Sequence, residues 1–145
     1  MSGISKTKVQ KERLKSAIDS GGSSVEKLIQ KEGNKVKVYI KPMSANQAWK
    51  GKRLKTDKYK AYENSLLWIL PVSVKLPEPP YQIHYTFGFS SLSSDFDNPI
   101  KQTTDILSKR YKFNDKLIKR AIIDIEKVEK GQEFFEFEIT HLARQ

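Results

Sequence analysis

The sequence predicts an α+β domain: a mixed β-sheet with two helices on one face, in the order β-α-β-α-β-β, behind a helical N-terminal extension. Three observations carry this reading. KVKVYI and QIHYTFGF alternate apolar and polar residues with the two-residue period of half-buried strands. Two stretches, after Thr56 and after Pro99, place apolar residues at helical spacing. The chain then closes on two further alternating runs. Its 145 residues are enough for one compact core and not comfortably for two.

Residues 1–34 form a basic extension, helical or partly disordered. Val9, Leu14, Ala17 and Ile18 have rough helical spacing, Gly21 and Gly22 break it, and VEKLIQKEG reads as one or two more turns ending at Gly33. The domain proper is expected over 35–145. Val36, Val38 and Ile40 line one face of the first strand, which Pro42 stops. MSANQAWKGKRLK follows as a basic loop. Thr56 is the expected N-cap of a helix burying Tyr59, Tyr62, Leu66, Ile69 and Leu70, and Pro71 ends that helix. Pro77, Pro79 and Pro80 mark a stiff surface turn.

In the second strand Ile83, Tyr85, Phe87 and Phe89 face one way and His84 and Thr86 the other. Pro99 suits the first position of the next helix, capped by Asp97 or Asn98, with Ile100, Thr104, Leu107 and Tyr111 along it. The last stretch reads as a hairpin turned near Lys130–Gly131. Ile123 and Ile125 lie on one strand, and Phe135, Phe137 and Ile139 on the other.

Charge is unevenly spread. The net of +10 resolves into +3 over residues 1–34, +8 over 35–60 and −1 over 61–145. A dense basic segment beside a slightly acidic remainder is the pattern of a phosphate-binding surface with a separate acidic centre. The plain alternative is a solvated lysine-rich loop. The absence of cysteine excludes disulfides and thiolate zinc sites. With only His84 and His141 to offer imidazole, a bound metal should be a hard cation held by oxygen. No apolar run reaches membrane-spanning length, and the start lacks the apolar core of a signal peptide, so a soluble cytoplasmic protein with no membrane partner is expected.

SDFDNPIK at 94–101 places two carboxylates two residues apart just before a helix. In extended backbone Asp95 and Asp97 point to the same side and can converge on one ion. Lys101 lies four residues beyond Asp97, and a helical side chain leans toward its N-terminus, so its ammonium can reach back over the same spot. Two carboxylates and a lysine could hold Mg²⁺ and stabilise an anionic transition state. The plain reading of the same residues is a cap plus a solvated acid favoured by the helix dipole.

Over about residues 35–145 the sequence resembles the RusA family of Holliday-junction resolvases, small dimeric Mg²⁺-dependent endonucleases found widely in prophages. IKPMSANQAW at 40–49 is similar to the family's opening strand and its proline, serine and asparagine loop. Asp95, Asp97, Asn98 and Lys101 match its Asp-x-Asp-Asn motif with the following lysine, and Asp105 matches a further helical aspartate. FNDKLIKRAIIDIEKV is similar to its acidic turn before the final strands.

The resemblance implies catalytic and metal-binding acids at Asp95, Asp97 and Asp115, a catalytic lysine at Lys101, Mg²⁺ (or Mn²⁺) as cofactor, a homodimer, and branched DNA such as four-way junctions as substrate in recombination and repair. The nucleic-acid contacts expected are Lys41, Asn46, Trp49, Lys50, Lys52, Arg53 and Lys55, with Trp49 as a stacking platform. Three departures stand out: Lys41-Pro42-Met43 where the family has paired prolines, Ser93 and Ser94 where it often has arginines, and a single turn acid in Asn114-Asp115-Lys116. They give weight to the alternative, a DNA- or RNA-binding module of the same fold without cleavage. A restriction-type nuclease is set aside because no acid-x-lysine occurs in the chain.

Overall fold

The computed structural model describes residues 28–51 and 54–143. Most of the expected extension, residues 1–27, lies outside them, as do Lys52 and Arg53. The chain is α+β, with a five-stranded mixed sheet and three helices among the described residues.

The sheet begins earlier than its alternation suggests. Residues 29–32, expected to be helical, are strand β1 (Ile29–Glu32), paired antiparallel with β2 (Lys35–Val38). Gly33 makes the turn at φ +61°, a left-handed conformation that glycine adopts without steric cost. The reading fails for a physical reason: IQKE is too short for helical and strand periods to be told apart, and the strand form buries neighbouring Leu28 in the core.

The basic loop contains a single-turn helix α1 (Ala45–Ala48), capped by Ser44, then two-residue strands β3 (Trp49–Lys50) and β4 (Leu54–Lys55). Helix α2 (Asp57–Ile69) follows as expected. The Thr56 hydroxyl accepts from Tyr59 N at 3.1 Å, and Tyr59, Tyr62, Leu66 and Ile69 are buried. Leu70, preceding Pro71, leaves the helix for extended backbone.

Strand β5 (Tyr81–Phe89) leads into helix α3 (Ile100–Tyr111), then a 3₁₀ turn at Asp115–Leu117, β6 (Ile118–Lys127) and β7 (Phe134–His141). The last two strands are not a hairpin. The sheet order is β1-β2-β7-β5-β6, so β5 stands between them, parallel to β6 and antiparallel to β7. The cause is the helix: β5-α3-β6 is a crossover unit, which returns its second strand parallel to the first. The connection to β7 then passes over the end of β5. Val128 N donates to Phe89 O at 2.8 Å, and buried Glu133 accepts from the Ser90 hydroxyl and from Gly131 N, both at 2.8 Å. Inserted there, Phe135, Phe137 and Ile139 join Ile83, Tyr85 and Phe87 on one buried face.

α2 and α3 meet over that face. The Tyr59 hydroxyl donates to Gln102 O at 3.4 Å, Tyr85 and Thr104 share a hydroxyl bond at 2.7 Å, and Tyr111 packs on Phe137. The opposite face carries Lys37, His84, Glu136 and Glu138. No described helix is long and apolar enough to cross a membrane.

Candidate nucleic-acid and metal site

β5 ends at Phe89, and residues 90–99 carry the chain from there to α3. Asp95 and Asp97 lie in this segment with exposed side chains, their carbonyls accepting from Asn98 N and Ile100 N at 3.1 Å in successive turns. The helix starts one residue later than expected. Pro99 occupies the cap position and no side chain caps the helix.

Asn98 does something else. Its Oδ1 accepts from Ala45 N at 3.0 Å, tying the segment to the start of α1. Gln102, fully buried, completes the joint: its Nε2 donates to Met43 O at 2.5 Å and to Asn98 O at 2.7 Å. The KPMSAN and DFDN segments, far apart in the chain, thus meet around a 250 Å³ pocket. Lys41, Ser44, Gln47, Ser91, Ser94 and Asn98 line it. One ammonium, hydroxyls and amides make a lining suited to an anion's oxygens, with the two aspartates on the adjoining loop.

Gln102 was not among the residues singled out from the sequence. Its signal was available: an amide four residues before Ile106, inside the apolar stripe of α3, needs polar partners once buried.

The other expected site residues are distributed unevenly. Lys101 does not lie over the aspartates. Its Nζ is 3.4 Å from Asp105 Oδ2 and 5.4 Å from the Trp49 ring centroid. The opposite charge one turn onward and the indole face hold the ammonium there. Trp49 is half-buried, edge-on to the fully buried Tyr59 with ring centroids 5.2 Å apart. Lys55 turns inward to buried Glu63 at 3.2 Å, and Lys109 meets the same carboxylate at 3.1 Å. Asn46 and Lys50 are exposed.

Asp115 does not converge with Asp95 and Asp97 in this chain. It precedes β6, whose first residue Ile118 pairs with Tyr81 at the start of β5, whereas Asp95 follows the end of β5. At about 3.3 Å per residue the two ends of β5 are ~26 Å apart. The twelve residues of α3 carry the chain that way, and the parallel return of β6 requires it. Exposed Asp115 sits in a turn capped by Asn114, whose Oδ1 accepts from Lys116 N at 2.9 Å. Among the described residues, no group of three or more His, Asp or Glu side chains could hold a metal ion. Asp124 is a surface residue, its Oδ2 2.7 Å from His84 Nε2 on the open face of the sheet.

No protein-family model matches the chain, and no curated protein matches it.

Proposed function

We propose that this protein is a Mg²⁺-dependent endodeoxyribonuclease acting on branched DNA, four-way junctions in particular, as a homodimer. The observation that carries the reading is the Asn98–Ala45 bond. It joins the two segments on which the resemblance to RusA resolvases rests, so that one polar pocket adjoins both.

Asp95 and Asp97, exposed in successive turns, are the residues that would hold a cation keeping most of its waters, since Mg²⁺ is commonly bound by one or two carboxylates together with substrate phosphate. When bound, it supplies a Lewis acid and an activated water for phosphodiester hydrolysis. The chain's own contribution is positional. Lys41, Ser44 and Gln47 offer donors to a phosphate entering the pocket, and the bond from Ala45 N to the Asn98 side chain ties their loop to the segment bearing the acids. Lys101 is mostly exposed, and exchanging its 3.4 Å contact with Asp105 and its place over the Trp49 ring for the phosphate would bring its ammonium to the developing charge. Lys50, with Lys52 and Arg53 next to it in sequence, supplies further positive charge for the DNA backbone. Two symmetric cuts across a junction suit a two-fold dimer.

A second reading has a specific observation in its favour. Asp115 stands away from the other acids, and Lys101 is paired with Asp105, an arrangement that serves a DNA- or RNA-binding module without cleavage.

The test is incubation of the full chain with a four-way junction and a matched linear duplex, with Mg²⁺ or with EDTA. Symmetric Mg²⁺-dependent nicks in the junction support the nuclease. Salt-sensitive binding with no cutting in Mg²⁺ or Mn²⁺ favours the second reading.

A further inference from the structure

Two of the large apolar side chains left exposed, Leu92 at 56% and Phe96 at 64%, belong to residues 90–99 between β5 and α3. Single exposed apolar residues are ordinary on a protein surface and need no explanation. Phe96 differs in how it is held. Asn98 N donates to Asp95 O at 3.1 Å, which closes a four-residue turn with Phe96 at its second position. Asn98, the last residue of that turn, accepts from Ala45 N through its side chain and from Gln102 Nε2 through its carbonyl. The ring therefore stands out from a loop whose base is anchored to α1 and α3.

Its surroundings select what it can meet. Ser94 and Asn98, two residues to either side, line the polar pocket together with Lys41. A chain spans at most ~3.6 Å per residue, so the Phe96 backbone lies within about 7 Å of each. Phosphates repeat every ~3.4 Å along one strand of stacked DNA. A strand with a phosphate in the pocket thus brings a base to the ring within one or two nucleotides. Asp95 and Asp97 flank Phe96, so a phosphate reaching the apex of the turn must come with a cation, whereas the neutral face of a base needs none.

We infer that Phe96 senses the branch, stacking on a base unstacked at the junction while the neighbouring pocket holds that strand's phosphate. In continuous duplex the faces of a base are covered by its neighbours. At a branch point the stack is interrupted, and a base is drawn out at lower cost. An aromatic ring suits this task because every base offers it a π-face, whatever the sequence. The inference rests on the branched-DNA part of the proposed function and not on cleavage.

The experiment uses a four-way junction carrying 2-aminopurine at the branch point, beside a linear duplex with the same labelled strand, both in EDTA. Wild type, Phe96→Ala, Phe96→Trp and Trp68→Ala are compared, with circular dichroism melts to establish folding. Wild type is expected to raise the fluorescence on binding the junction, since leaving the base stack relieves quenching. Phe96→Ala should abolish that rise and weaken junction binding at least about fivefold, the scale of one base–aromatic stack. Its binding to linear duplex should stay within about twofold of wild type, because no unstacked base is offered there. Phe96→Trp should keep junction affinity within about threefold. Trp68→Ala, which removes an 80% exposed ring near the end of α2, should match wild type.

An unchanged fluorescence rise or junction affinity in Phe96→Ala would overturn the inference. So would an equal loss on junction and duplex, or a wild type that binds no junction. Adding Mg²⁺ separates this inference from the nuclease reading. A Phe96-dependent signal without cuts would overturn the nuclease alone, and junction cutting with a signal indifferent to Phe96 would overturn the stacking alone.

Discussion

Asn98 Oδ1 accepts a hydrogen bond from Ala45 N at 3.0 Å, joining positions 53 residues apart. Helix α3 begins without a side-chain cap, since Pro99, which has no side-chain acceptor, holds the cap position and the Asn98 amide before it is turned to another loop. The Asn98 side chain thus ties the loop before α3 to the start of α1 rather than serving its own helix.

Asn98→Ala leaves the Ala45 amide without its partner, and we expect a loss of about 1 kcal/mol in urea denaturation. Asn98→Asp keeps the acceptor and should retain most of that stability, while its added negative charge weakens junction binding. Equal destabilisation by both variants would show that the Ala45 bond contributes little.

The tyrosines predict the alkaline limit of the fold. Burial pushes the phenols of Tyr59, Tyr62 and Tyr85 far above their ordinary value, and that of Tyr111 up to about 12, where neighbouring Arg110 partly offsets the effect. The folded protein thus favours the protonated phenols. Their contribution to stability is complete below the unfolded pKa of about 10 and is lost as pH rises through the folded values. The urea midpoint should fall steeply above pH ~10, with phenolate absorbance at 295 nm from these side chains appearing together with unfolding. An unchanged midpoint between pH 9 and pH 11 would contradict this.

Lys101→Met keeps the stem and removes the ammonium. Single-turnover junction cleavage should fall at least about a hundredfold, the scale of losing one preorganised electrostatic donor, with folding little changed. Wild-type cleavage by this variant would leave Lys101 as the partner of Asp105 and Trp49 only.

Much of the fold was legible because local signals and burial agree. Thr56 caps α2 and Pro71 follows its end, and the alternation of Ile83, Tyr85 and Phe87 gives the inward face of β5. The final strands were misread because sequence adjacency favours a hairpin. Nothing local to Lys130–Gly131 reveals that β5 will be inserted between them; that is set by the crossover through α3. The same crossover separates Asp115 from Asp95, so the failed convergence and the failed hairpin share one cause. At the site, the proximity of the 41–47 loop to the aspartates depends on Asn98 and Gln102 bonds between distant segments, which no periodicity encodes.

The most direct measurement is single-turnover cleavage of a four-way junction by wild type, Asp95→Asn and Asp97→Asn under saturating protein with Mg²⁺, beside binding of the same junction in EDTA. Replacing either carboxylate by its amide removes ligand charge with little change of shape and reduces repulsion of phosphate. Symmetric cuts by wild type are expected, with no detectable cuts by either variant and junction affinity retained or tightened in both. Cleavage by either variant at the wild-type rate would contradict that expectation.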